Sequence, residues 1–410
     1  MTPTLYLTRN GLLEPLGQSQ VIPYLRGLSS DYAITLITYE KAEDWADEEA
    51  VAQARAECRA HGITWLPQIF RPRPKVIAPA LSMLRMVWLL RREVRRRGIR
   101  LIHARSYIPA AVALAVHRTT GVPFIFDMRA LWPEELITAG RLRRGSRLHR
   151  FIEAAERACL KHAAGVVSLT EAAVGHLRQT YPDELRDKEI TVIPTCADLD
   201  RFRPAGAAPL SPVHGCIGTL LSGWFRTDWL RSWIETAAER DPAARFEILT
   251  RDDPQAVRAQ IDPEGEIGER LTIASRKPAE MPEALHAHTT SIMFYDGNAT
   301  SELGRSPTRM AEVLGSGLPV VANRGVGDVA KIIEEHRVGV IVEDVSREAM
   351  NEAFDALQTL QADPALAARC RDTAMAVFSL EAGTERYSAL YQACLAGQRV
   401  PATPGNGRTQ

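Results

Sequence analysis

Short apolar runs recur through the first half of the chain at residues 5–7, 34–38, 101–103, 124–126, 166–169 and 191–193, with helical stretches between them. Runs of this length joined by amphipathic segments predict parallel strands connected by crossover helices. The pattern pauses near Phe202, where residues 203–212 (RPAGAAPLSP) are rich in Pro, Ala and Gly. Such a stretch reads as a linker. A second series of apolar runs follows at 214–218, 246–250, 271–273, 291–294, 319–322 and 339–342, and periodic stretches at 347–361 and 381–396 read as closing helices. The predicted organisation is an N-terminal Rossmann-like domain at 1–203, a linker at 204–212 and a C-terminal Rossmann-like domain at 213–380. A helix at 381–398 is expected to return to the first domain, and the polar, Gly/Pro-rich tail 399–410 is expected to be disordered. The fold class is therefore α/β, with two doubly wound halves whose strand ends face a shared crevice.

Length and composition agree with this reading. A chain of 410 residues exceeds one ordinary core, and 45% apolar with 24% charged residues is the composition of a folded globular protein. The 50 basic residues balance the 50 acidic ones, so no overall field points to nucleic acid. The six cysteines are scattered without a CxxC pair, which reads as reduced cytosolic thiols. The N-terminus MTPTLYLTRN lacks the pattern of a secretory signal, and no apolar run approaches the length of a membrane span. The arginine-rich stretches 85–100 and 141–150 lie beside apolar residues in the first half. They fit either a solvated helix face or peripheral contact with an anionic membrane, which would place the protein in the cytoplasm at the inner face of that membrane.

The densest chemistry lies in 305–323, RSPTRMAEVLGSGLPVVAN. Ser306 is suited to cap a helix and Pro307 to occupy its first position. The free amides and positive dipole end would then bind an anion, with Thr308 adding a hydroxyl and Arg309 a cation. Glu312 lies further along the same helix, where a carboxylate suits a ribose diol. It would equally serve as an ordinary solvated glutamate. Gly325 and Gly327 in NRGVGD, followed by Asp328, allow a tight loop beside this helix start, or an ordinary turn. Residues 214–230, HGCIGTLLSGWFRTDWL, read as a strand and a loop at Gly218 that lets backbone approach a pyrophosphate. Arg226 is the nearest cation there. In the first half, Gly17 follows the first strand as a candidate hinge, and HARSYIPA and FDMRALWPEEL are strand ends that release Arg105, Asp127, Arg129 and Glu135. The Asp-Arg pair suits chemistry at a crevice or a structural ion pair.

SPTRMAEVLGSGLPVVANRGVGD resembles the donor segment of the family 4 (group 1) retaining glycosyltransferases of the GT-B fold. It is similar in particular to a subgroup whose helix opens Ser-Pro-Thr-Lys, with Arg309 in the lysine position. HARSYIPA, FDMRALWPEEL, VVSLTEAAVGHL and ITVIPTCADLDRFRP resemble the same subgroup. The resemblance implies a nucleoside-diphosphate-sugar donor, a hydroxyl acceptor of the kind used in glycan, glycolipid or glycoconjugate synthesis, including lipid-linked ones, and retention of anomeric configuration. It implies no metal and no other cofactor. The donor residues are then Gly218, Arg226, Ser306, Pro307, Thr308, Arg309, Glu312, Gly327 and Asp328. The catalytic candidates are Asp127, Arg129 and Arg309, with Gly17, Arg105 and Glu135 bordering sugar or acceptor. Gly304 stands where the family's commoner pattern has a first carboxylate. A nucleotide-sugar 2-epimerase, or a non-catalytic nucleotide-sugar-binding subunit, is the alternative.

Overall fold

The structure, a computed structural model, describes residues 1–70, 78–206 and 211–398. The expected disordered tail lies outside these residues. The chain divides into two compact units, Met1–Pro194 with the chain from Gly383 onward, and Thr195–Ala382. The division falls upstream of the Pro- and Ala-rich stretch 203–212.

The first unit contains β1 (Thr2–Leu7), β2 (Tyr32–Glu40), β3 (Thr64–Ile69), β4 (Leu101–Arg105), β5 (Phe124–Asp127), β6 (Gly165–Ser168) and β7 (Ile190–Val192). They form one sheet in the order β3-β2-β1-β4-β5-β6-β7, and every pairing in it is parallel. The second unit contains β8 (Val213–Ile217), β9 (Arg245–Leu249), β10 (Leu271–Ala274), β11 (Thr290–Met293), β12 (Val320–Asn323) and β13 (Gly339–Val342), again all parallel, in the order β10-β9-β8-β11-β12-β13. In both sheets the order reverses beside the first strand, which opens a crevice at the carboxyl ends of its neighbours.

Helices cover both faces, so the central strands are buried throughout. Strand β5 is FIFD and β12 is VVAN, each with all four residues buried. Strand β3 has no counterpart in the apolar pattern. Its sequence TWLPQI carries Pro67 and buries only Trp65, as befits a strand at the edge of the sheet. The helix Leu366–Phe378, also absent from the predicted elements, packs Leu366, Cys370, Ala374 and Phe378 into the core of the second unit. Helix starts follow local chemistry. Thr170 accepts from the Ala173 amide and Ser346 from that of Ala349, each filling one of the donors a helix start leaves open.

The final helix, Leu380–Ala396, belongs from Gly383 onward to the first unit. It docks through Tyr387 and Tyr391, each 1% exposed, whose rings meet Tyr24 and Tyr32 edge-on at 5.2 and 5.0 Å. Gly165 at the start of β6 permits the contact, because a Cβ there would lie 2.7 Å from Leu390 Cδ1 and 3.0 Å from Cys394 Sγ. Replacing Gly165 by Val should therefore lower the unfolding free energy by about 1–3 kcal/mol through overpacking. Gly175→Ala, where a Cβ meets open space in a helix, should be neutral or stabilising by up to about 1 kcal/mol. Urea unfolding of the two variants distinguishes the outcomes.

Candidate active site

In the first unit the loop after β1 is shaped by a carboxylate that carries no motif. Glu40, the last residue of β2, is fully buried and accepts from the amides of Leu12 (2.8 Å) and Leu13 (3.2 Å). Thr38 donates to the same carboxylate, and the Trp65 indole donates to Thr38 at 2.8 Å. The loop so held presses on Gly17, where a Cβ would sit 2.7 Å from Leu12 Cα. Gly17 is therefore a packing glycine inside the helix Pro15–Gln20, and the hinge expected of it is corrected. The cause is close backbone approach.

At the carboxyl ends of β4 and β5 the structure gathers His103, Arg105, Asp127 and Arg129. Asp127 has no solvent exposure. Its Oδ2 accepts from Tyr387 at 3.0 Å and lies 3.2 Å from His103 Nε2, with Arg105 Nη1 at 3.7 Å; Arg129 Nη1 is 3.9 Å from Oδ1. Tyr391 bonds the other His103 nitrogen at 2.9 Å, so one neutral tautomer satisfies both sides of the ring. Burial lowers the His103 pKa and keeps it in that neutral form. Burial also works against the Asp127 carboxylate, but Arg129, His103 and Arg105 together outweigh it and hold its pKa down at about 2.

Two guanidinium groups thus face one carboxylate, leaving a buried excess of positive charge. Arg105 Nη1, Arg129 Nε and Asp127 Oδ1 are buried without hydrogen-bond partners among the described residues. The backbone is strained at the same place, with Ser106 at φ 76° and Arg129 at φ 61°. Non-glycine residues hold such angles at a cost and concentrate at functional sites. Asp127, expected among the catalytic candidates, is fully buried between the two arginines. Glu135 sits half-buried in the first turn of the helix Trp132–Thr138. Beside this cluster a cavity of about 330 Å³ opens at the carboxyl ends of β1 to β5, lined by Arg9, Glu14, Lys41, Phe70, Tyr107 and Trp132 among others. None of these six was a candidate in the sequence, because they come from five separate loops.

In the second unit, the helix of the donor segment runs Thr308–Gly315. Pro307 holds the cap position in extended backbone, and Ser306 does not cap: its Oγ accepts from the Thr195 amide at 3.0 Å. Both assignments move one residue from the expectation. No side chain caps the helix at Pro307 and the Met310 amide donates to the Pro307 carbonyl at 3.1 Å, so among the described residues the Thr308 and Arg309 amides are the open donors of the first turn. Arg309 donates to Glu312, which is only 9% exposed, and burial raises the Glu312 pKa against the lowering effect of Arg309. Glu302, 1% exposed, is held by Arg305, whose guanidinium also stacks at 5.4 Å from the rings of both Trp224 and Tyr295. This pair lies next to Gly304.

The loop after β12 is fixed by Asn323, whose side chain accepts from the Tyr295 amide and donates to the Tyr295 and Arg324 carbonyls, each at 2.9 Å. Gly325 has φ 84° and a Cβ there would lie 2.8 Å from Gly297 Cα, so only glycine fits. Gly327 donates to the Glu302 carbonyl at 2.9 Å, and Asp328 stands at the start of the helix Val329–His336 without capping it. Gly218, at φ 146°, starts the loop after β8. The Leu220 and Leu221 amides there donate to Asp252 at 2.6 and 3.0 Å, a carboxylate seated where the sequence suggested a phosphate. Arg226 is tied bidentate to Asp228 and stacks on Trp229. Arg226 and Arg309, the cations chosen from the sequence, are thus each neutralised by a neighbouring acid. Among the described residues no cluster of three or more His, Cys, Asp or Glu could hold a metal ion.

Comparisons with known proteins place this geometry in a known fold. Residues 23–201 match the sequence profile described as Glycosyltransferase Family 4. Among curated proteins none matches the sequence. The fold is that of the GT-B glycosyltransferases, as similarity to solved structures establishes. HepE of Anabaena in complex with UDP superposes with a TM-score of 0.69 at 15% identity, covering 96% of this chain and 100% of that one. Sucrose-phosphate synthase of Thermosynechococcus elongatus gives 0.68 at 16% identity over 97% and 100%, and a glycosyltransferase of Rickettsia africae 0.68 at 14% over 96% and 98%.

The buried cluster makes two stability predictions. Asp127→Asn leaves two guanidinium groups uncompensated and should cost about 3–5 kcal/mol in urea unfolding, with Tyr387→Phe costing about 1–3 kcal/mol. Because the Asp127 pKa is lower in the folded chain, its contribution is complete above about pH 4 and is lost as pH falls towards about 2. Unfolding free energy measured across that window should fall less steeply in Asp127→Asn.

Proposed function

We propose that the protein transfers a sugar from a nucleoside-diphosphate sugar to an acceptor hydroxyl, with retention of configuration, in the synthesis of a glycan or glycoconjugate. The observation that carries this reading is the uncapped helix Thr308–Gly315 with Arg309 and Glu312 on its first two turns. Its open amides and positive dipole end suit a diphosphate, and the same groups stabilise that diphosphate as it leaves. Arg309 would turn from Glu312 to the phosphates, freeing the carboxylate to accept from the ribose hydroxyls. Ligand charge thereby replaces an internal ion pair. HepE, a structural neighbour, is described in complex with UDP and with UDP-glucose, which makes uridine nucleotides the first donors to try.

Calorimetric titration with UDP tests the site. Arg309→Ala and Glu312→Ala should each weaken binding by about 1–3 kcal/mol, the loss of a charged hydrogen bond. Unchanged affinity in both variants would sink the proposal. Mass spectrometry of products made from donor alone separates transfer from 2-epimerisation, which needs no acceptor, and nucleotide binding without turnover across an acceptor panel marks a binding subunit.

We further propose that the first unit touches an anionic bilayer, in line with a cytoplasmic protein working at the inner face of a membrane. Leu84 and Trp88 on the helix Ala78–Arg97, and Leu148 and Phe151 on Arg147–His162, are 58–71% exposed among arginines. No described helix is long and apolar enough to cross a membrane. Such a face suits shallow insertion with charge attraction of about 1 kcal/mol per basic residue. Sedimentation with phosphatidylglycerol vesicles should exceed that with phosphatidylcholine and fall in Trp88→Glu; equal sedimentation with both lipids would refute the contact.

A further inference from the structure

The cavity in the first unit is lined by two cations and four aromatic rings, a combination that the donor site does not use. Arg9 follows β1 and stacks on Phe70 at 5.4 Å. Among the described residues it has no carboxylate within ion-pair distance. Lys41 follows β2 and is balanced by Glu14 at 3.5 Å, so the cavity keeps a surplus of one positive charge. Tyr39, Tyr107 and Trp132 complete the ring surface with Phe70; Tyr39 and Tyr107 are each 7% exposed, which makes this a rigid wall rather than a loose one.

Tyr107 is held from behind. Its hydroxyl donates to Glu156 at 2.8 Å and its ring packs on Phe126 and Trp132 at 5.2 and 5.5 Å. Tyr181 donates to the other Glu156 oxygen at 2.6 Å, so both oxygens of the carboxylate behind the wall are engaged. The cavity also receives the first turn of the helix Tyr107–Thr120, where Pro109 has no amide hydrogen and no side chain caps the start. That end adds positive potential to the same space.

Aromatic walls pack against the C–H faces of sugar rings, and an uncompensated guanidinium forks onto carboxylate or phosphate. We propose that this cavity binds a sugar carrying an anionic group, a carboxylate or a phosphate, and that this sugar is the acceptor end of the reaction. The second half of that statement rests on the transferase reading given above. Arg9 reads the anion, Phe70 and Trp132 hold the ring, and Lys41 with Glu14 sets the rim. The volume of about 330 Å³ accommodates one or two sugar units rather than a long chain.

The test is a ligand-observed NMR titration of the full chain with methyl glucuronide, glucose 6-phosphate and neutral methyl glucoside, with UDP titrated into the same samples. The two charged probes, or one of them, should bind about tenfold more tightly than the glucoside. Arg9→Gln should remove that advantage and leave glucoside and UDP binding unchanged, while Phe70→Ala should weaken all three sugars. Tighter binding of the glucuronide than of the phosphate, or the reverse, identifies which anion is read. Equal binding of charged and neutral probes, no saturation by either charged probe into the millimolar range, or a preference that survives Arg9→Gln overturns the inference. Loss of UDP binding with the charged preference intact overturns the transferase reading instead.

Discussion

A parallel sheet covered by helices on both faces has no wet side, so its charged side chains emerge mainly where the strands end. Everything chemical in this chain follows from that restriction. Strand β4 buries all five of its residues and ends on Arg105; β5 buries all four and ends on Asp127. A carboxylate with no solvent must recover its solvation from neighbours. Asp127 does so from two arginines, a neutral histidine and a tyrosine, and in doing so fixes where the arginines point.

The same logic governs the second unit with a different emphasis. There the acids Glu302 and Glu312 are nearly buried, and each is satisfied by an arginine three residues away along the chain. Arg226 leans on Asp228 and the Leu220–Leu221 amides on Asp252. The cations Arg226 and Arg309 and the Leu220–Leu221 amides thus each face one of the protein's own carboxylates.

Distant parts of the sequence supply the rigid backing. Tyr387 and Tyr391 reach Asp127 and His103 from the last helix, separated from them by more than half the chain, and Glu40 shapes a loop formed by Leu12 and Leu13. Strain at Ser106 and Arg129 persists because these contacts over-determine the backbone. The first unit thus joins a tight polar cluster to a more open, ring-lined cavity.

The two α/β halves, their central strands and the helix after Pro307 were legible from local pattern, because strand runs and helix starts depend on residues close in sequence. Arg309, Glu312, Arg105, Asp127 and Arg129 stood out for the same reason: each sits at the end of an apolar run or on a motif. What the chain order does not contain is the partner of each charge. Pro67 hid β3, which is recognisable only by its pairing with β2. Ser306 looked like a cap until Thr195 claimed its hydroxyl, and Gly17 like a hinge until a neighbouring loop filled the space beside it. The contacts of Glu40, Tyr387 and Arg9 are decided only by folding, since hydrogen bonds and stacking join atoms by distance in space and a linear sequence records distance along the chain.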